Sequence, residues 1–224
     1  PEVKARDAAR VEPILKELRK LNPMYGNIVV ADGEGRVWAT AIPLRQQMVI
    51  DDRRFFKGAL QSGKLSSGEY IVSRITTRPV FNLGYPLKDD RGAIIGVIGV
   101  TLNIESYRTL LQRMRLAAGA SFVILDHKGI ILARGIDPER YVGKPYPADA
   151  FRKLLDGPDQ GTHVRAGLQG DKRIISYIKL RLPDEDVPYM YVTSGIPVEA
   201  ATRDATRSLA YSMTLLSSFL LFAC

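Results

Sequence analysis

The chain says the same thing twice. Residues 28–40 read Ile28-Val-Val-Ala-Asp-Gly-Glu-Gly-Arg-Val-Trp-Ala-Thr40, and residues 122–134 read Phe122-Val-Ile-Leu-Asp-His-Lys-Gly-Ile-Ile-Leu-Ala-Arg134. Asp32 maps to Asp126, Gly35 to Gly129 and Ala39 to Ala133, each 94 residues later. Each copy is an apolar run, a tight turn opened by Asp and closed by Gly, and a second apolar run, which predicts a β-hairpin. The Asp can bond the backbone of its own turn, and Gly supplies a positive φ there. Two hairpins in register predict two domains of one fold, about 90 residues each.

Bulk properties narrow the function classes. A length of 224 residues fits one large domain or two small ones, and 46% apolar content suffices for a core. The single cysteine, Cys224, excludes an internal disulfide and a zinc cluster. Net charge is +8, but Lys and Arg are scattered rather than gathered with aromatics, so no nucleic-acid partner is expected. The charge reads as a solvated basic surface, or as attraction to an anionic ligand or lipid. Enzyme chemistry finds no support: there is no Gly-rich phosphate loop, metal-ligand spacing or nucleophile elbow, and no metal or cofactor is expected. The adjacent carboxylates Asp51-Asp52 and Asp89-Asp90 point apart and read as a helix cap and a turn.

Periodicity supplies the elements. Residues 2–21 carry Ala8, Val11, Ile14, Leu15, Leu18 and Leu21 at helical spacing, with Pro13 kinking the helix or starting a second segment. In the first repeat a hairpin at 27–41 precedes a short helix at 50–60, capped by Asp51 or Asp52 and stopped by Gly63. Strands follow at 68–76, 80–87 and 93–104, with a turn at Asp89-Asp90-Arg91-Gly92. The second repeat, after a linking helix at 104–118, has its hairpin at 121–134, a helix at 148–156 and strands at 161–168, 171–180 and 188–197. Two strands, a helix and three strands is a PAS-like layout. Residues 208–224 carry no charge and read as the beginning of a membrane helix, the alternative being a buried amphipathic one.

Stalk, tandem PAS-like units and apolar tail together resemble a double Cache (dCache) sensor domain. The residues that carry the resemblance are Asp51-Asp-Arg-Arg-Phe-Phe-Lys-Gly-Ala-Leu-Gln-Ser-Gly-Lys64, Gly68-Glu-Tyr-Ile-Val-Ser-Arg74, Gly84-Tyr-Pro-Leu87, Gly92-Ala-Ile-Ile-Gly-Val-Ile-Gly-Val100 and Phe122-Val-Ile-Leu-Asp-His-Lys-Gly129. The resemblance implies an α+β fold: an N-terminal stalk helix (1–24), a membrane-distal unit with linker helix (25–118), a membrane-proximal unit (119–198) and a C-terminal helix entering a truncated transmembrane segment (199–224). It implies an extracytoplasmic, periplasmic or extracellular domain of a cell-membrane signalling protein, a sensor histidine kinase first. A chemoreceptor, a cyclic-dinucleotide enzyme or a dimerisation module with a vestigial pocket are the alternatives. The chain itself is then no enzyme. It is held to the membrane by its flanking helices and can pair as a homodimer through the stalk.

The same resemblance puts the ligand in the distal unit. Arg53-Arg54-Phe55-Phe56 is similar to the Arg-x-Trp-aromatic motif of the amino-acid-binding branch, with Phe in place of Trp, and Arg53 would grip a carboxylate. That branch has an Asp in the last strand for the ligand ammonium, where this chain has Thr101. A small organic acid without an amine is the expected ligand. Arg53 could equally pair with Asp51 or Asp52. One of Phe55 and Phe56 should be core and the other pocket. Tyr70 and Arg74 alternate with Val72 along the expected strand and should share a face, Arg74 needing an acid or an anionic ligand. Phe81 and Tyr85 lie on the neighbouring strand, as core or pocket. His127 and His163 read as solvated, and Trp38 as core.

Overall fold

A computed structural model describes residues 6–106, 119–183 and 185–202. Helix α1 (Ala8–Leu21) is followed by strands β1 (Tyr25–Asp32) and β2 (Val37–Thr40), helix α2 (Arg54–Ser62), and strands β3 (Ser66–Ser67), β4 (Ile71–Val72), β5 (Pro79–Lys88) and β6 (Ile94–Asn103). The second half repeats this with β7 (Ser121–Asp126), β8 (Ile131–Arg134), α3 (Pro138–Tyr141), α4 (Ala148–Asp156), β9 (Gln160–Ala166), β10 (Lys172–Leu180) and β11 (Met190–Pro197). The first sheet runs β2-β1-β6-β5-β3, with β4 also on β5; the second runs β8-β7-β11-β10-β9. Every pairing is antiparallel. The expected α+β fold with tandem PAS-like sheets is the one observed. The expected helix at 104–118, beyond residue 106, and the apolar tail at 208–224 lie outside the described residues. Among the described residues no helix is long and apolar enough to cross a membrane.

The repeat is exact at the turns. Asp32 Oδ1 accepts from the amides of Glu34 and Arg36, and Asp126 Oδ1 from those of Lys128 and Ile130, at 2.9–3.0 Å. Gly35 (φ +79°) and Gly129 (φ +78°) close the two turns in the left-handed region that glycine enters without cost. Both hairpins also shift register at the same place, between Val30 and Ala31 and between Ile124 and Leu125. Each bulge leaves one residue, Trp38 or Leu132, without a partner and restores Thr40 and Arg134 to the face of the sheet that α2 and α4 cover.

Each sheet has two buried faces. In the first unit Val29, Ala31 and Val97 pack under Phe55, Phe56 and Ala59 of α2. Ile28, Val30 and Ala39 pack on the opposite face beneath Val11 and Leu15 of α1. In the second unit Val123, Leu125 and Tyr177 meet Ala150 and Leu154 of α4. The other face of the second sheet, with Phe122, Ile124 and Ala133, is covered by the first unit through Phe81 and Ile104. The two units therefore share a core at their junction.

Three local expectations are corrected. Asp51 and Asp52 do not cap α2; its N-cap is Arg53, in extended conformation and without a side-chain cap. Asp52 is unavailable because Arg74 holds its carboxylate at 2.6 Å. Residues 68–76 are not one strand, since pairing with β5 stops after Ser67, resumes only at Ile71–Val72, and gives way to a turn closed by Ser73. Pro13 starts no second segment; it lies inside α1, which begins earlier, capped by Asp7, whose side chain accepts from the Arg10 amide.

Candidate functional site

The residues expected to form one distal pocket fall into four places. Phe55 and Phe56 are both core, each 2% exposed. Adjacent helical residues here bury on either side of the helix–sheet contact, so neither is left to line an open cavity. Phe81 is also core, but on the opposite face of the sheet, at the junction with the second unit, where its ring lies 6.2 Å from that of Tyr189. Tyr85 is 57% exposed. Tyr70 leaves the first unit altogether: its amide donates to Asp126 Oδ2 at 3.0 Å and its ring packs into the junction core. Tyr70 and Arg74 thus share no strand face, because no strand joins them.

Arg53 and Arg74 do come together, on Asp52. Arg74 makes a two-point pair with its carboxylate, and Arg53 Nε lies 3.6 Å from Oδ1. The Arg53 side chain is mostly buried, whereas that of Arg74 is half exposed. Arg74 and Ile75 form one wall of an open cleft of about 750 Å³ whose other walls are residues 42–49.

Thr101 belongs to a polar row across the face that α2 covers. Asn27 pairs with Thr101 across β1 and β6, and Thr101 with Asn82 across β6 and β5. Asn27 Nδ2 donates to Thr40 Oγ1, and its Oδ1 accepts from the Ile42 amide, so the row reaches the first residue of the cleft. Asn82 Nδ2 donates to Thr101 Oγ1 at 3.3 Å, while Asn82 Oδ1 is buried without a protein partner. All four side chains are buried, and none carries charge. A buried amide oxygen without a partner costs about 1–3 kcal/mol until something donates to it. Next to this row the Phe55 ring lies on Gly84 and Gly99: a Cβ at either would fall 2.7–2.8 Å from it. Asn27, Thr40 and Asn82 escape a reading by motif because they stand far apart in sequence; the signal is their shared parity on four paired strands.

The remaining titratable groups are shaped by burial. His127 and His163 are not the solvated side chains expected, since His127 Nδ1 and His163 Nε2 are buried without partners. Desolvation lowers both pKa values, with Arg54 adding to the effect on His127 and Arg165 to that on His163. Burial raises the Tyr146 phenol, against the opposing pull of Arg165. Among the described residues no group of acids, histidines and cysteines could hold a metal ion.

Comparison with known proteins follows this geometry. The family model described as Cache domain, of the double (dCache) type, matches residues 3–205. A segment is similar to Sporulation kinase D of Bacillus subtilis (strain 168), 23% identical over 106 residues, which is 47% of this chain and 21% of the kinase. The chain thus spans about a fifth of that relative. Among solved structures, an extracellular domain described as that of a histidine kinase, rpHK1S-Z16, superposes with a TM-score of 0.71 at 19% identity, over 85% of this chain and 78% of that one. The ligand-binding domain of the Pseudomonas aeruginosa PAO1 amino acid chemoreceptor PctB, in complex with L-Arg, superposes with a TM-score of 0.67 at 17% identity, over 89% of this chain and 83% of that one. At these identities the likeness is one of fold.

Proposed function

This chain belongs to the Cache domain family, of the double type, and we propose that it is the extracytoplasmic sensor domain of a membrane-bound receptor, a sensor histidine kinase, with a small carboxylate as ligand of its first unit. Residues 25–118 would be the membrane-distal, ligand-binding unit and residues 119–198 the membrane-proximal one, with the segments on either side leading to the membrane. Known relatives in this fold are extracellular domains of histidine kinases and amino acid chemoreceptors, which supports a sensing rather than catalytic role.

The observation that carries the ligand class is the composition of the polar row. Asn27, Thr40, Asn82 and Thr101 offer amides and hydroxyls but no carboxylate. Asp52, just before α2, is already shared by Arg53 and Arg74. An ammonium would find no anion to offset its desolvation, whereas a carboxylate could compete with Asp52 for two guanidinium groups. Binding would drive signalling only through a difference in affinity between two conformations of the domain.

Titration calorimetry against a panel of short carboxylic acids and α-amino acids tests this. A carboxylic acid should bind, and Arg53→Ala should weaken it roughly 30-fold or more, the scale of a lost buried charge partner at about 2–5 kcal/mol. Thr101→Asp should weaken the acid and improve an α-amino acid. Equal affinity in wild type and Arg53→Ala, or tight binding of an α-amino acid by the wild type, would overturn the assignment.

A further inference from the structure

The second sheet carries the counterpart of the polar row, and its chemistry is different. With the 94-residue offset, Thr40 becomes Arg134, Asn27 becomes Ser121 and Thr101 becomes Gly195. The pairings agree: Val29↔Thr40 matches Val123↔Arg134, and Asn27↔Thr101 matches Ser121↔Gly195. Across β10 and β9 the same face continues with Ile175 opposite His163 and Arg173 opposite Arg165. Where the first unit closes this corner with neutral side chains bonded to one another, the second gathers three arginines. The fold therefore does not itself require charge at this corner.

The three guanidinium groups are not equally satisfied. Arg173 is: its Nε donates to Asp171 at 2.7 Å, and its Nη1 to Gly119 O, Ser121 Oγ and Gly195 O. Arg134 is 3% exposed, and its Nε and Nη1 are buried with no hydrogen-bond partner. Its guanidinium lies over the Tyr141 ring, 3.7 Å away. No carboxylate among the described residues pairs with it. Arg165 donates to Ala166 O and to the Tyr146 hydroxyl, and its Nε is likewise buried and unpartnered. Arginine stays charged in any protein environment. Among the described residues, three cations with one paired acid, Asp171, leave two positive charges in excess.

Both side chains with unpartnered nitrogens line the same cavity, with Tyr146, Thr193 and Ser121. It has room of about 20 Å³, which exceeds the minimum of about 10–15 Å³ that one water-sized group needs. A planar oxyanion offers two acceptor oxygens to donors that stand apart, the geometry for which guanidinium groups are suited. We infer that the second unit has an anion site of its own, in which Arg134 and Arg165 hold a single carboxylate group beside Tyr146. That size admits one oxygen of the carboxylate, the remainder of the acid staying outside the cavity.

The test is a titration of the 224-residue chain with ¹³C-labelled sodium acetate, followed by NMR at fixed ionic strength. Saturable binding is expected in Arg53→Ala, which lacks the anchor proposed for the first unit, and adding Arg134→Gln or Arg165→Gln to that protein should weaken it at least tenfold. Absence of saturable binding in Arg53→Ala, or an affinity there that neither added arginine substitution lowers, overturns the inference. Loss of acetate binding in Arg53→Ala alone also overturns it, while leaving the first-unit reading intact. Should the variants fail to fold, a crystal of the wild-type protein soaked with 4-bromobenzoate, whose aryl bromide does not alkylate protein, decides by the bromine anomalous signal. A peak beside Arg134 and Arg165 supports the site; no peak there refutes it.

Discussion

Gly84 and Gly99 face each other across β5 and β6, and both are pressed by the Phe55 ring. Neither has a positive φ, so their requirement is one of space. Gly84→Ala or Gly99→Ala should overpack this contact and cost about 1–3 kcal/mol, and Phe55→Ala about 3–5 kcal/mol, read by chemical unfolding. Little of this was legible in sequence: two phenylalanines beside an arginine resemble a binding motif, and only the glycines on the opposing strands reveal that Phe55 fills the space itself. The turn glycines were legible, because Asp-x-x-Gly states its own backbone requirement. The histidines were not, since burial depends on what packs over them. Both have pKa values below the ordinary 6.5 in the folded chain. Folding then releases protons, so their contribution is complete above about pH 6.5 and is lost as pH falls through the lower folded values. The melting temperature should decline from pH 7 to pH 5, and His127→Gln with His163→Gln should flatten that decline.

At the scale of elements, α1 keeps more apolar surface than its own sheet covers. Val11 and Leu15 are buried, but Ile14, Leu18 and Leu21 are 52%, 43% and 67% exposed. The apolar periodicity was legible as a helix and gave no way to divide its stripe between two partners. The exposed side is the surface through which a stalk-mediated homodimer would form. Ile14→Glu with Leu18→Glu should lower the mass measured by light scattering from dimer to monomer while leaving the circular dichroism spectrum unchanged; a wild-type monomer would rule the dimer out. The second element that sequence misjudged is the segment after β3. Its alternation promised one strand from 68 to 76. Instead Gly68 still donates to Asn82 O, and Tyr70 then turns to the other unit. A bond across 56 residues outweighs a local preference that is worth under about 1 kcal/mol per residue.

At the scale of the molecule, the repeat explains both the likeness of the two halves and how they are joined. Asp32 and Asp126 make the same turn with Oδ1, and they differ in Oδ2. In the first unit Oδ2 faces Arg36 and Arg6, whose side chains are more than half exposed. In the second it accepts from the Tyr70 amide, while Lys128 of the same turn pairs with Glu69. One turn has thus become the socket for a strap from the other unit, adjoining the shared core of Phe81, Ile104, Phe122 and Ile124. Arg54 of α2 donates to Ser67 O and Gly68 O, two residues before that strap. The isosteric change Asp→Asn separates the roles, because it can keep Oδ1 in the turn while placing an NH₂ against whatever Oδ2 held. Asp32→Asn should cost only what exposed ion pairs are worth, about 0–1 kcal/mol. Asp126→Asn should set two donors against each other in a half-buried contact and cost about 1–3 kcal/mol. Hydrogen exchange locates the effect: the Tyr70 amide should lose protection in Asp126→Asn and keep it in Asp32→Asn. Equal costs, with Tyr70 equally protected, would mean that the two turns are interchangeable and that the units are joined by their apolar core alone.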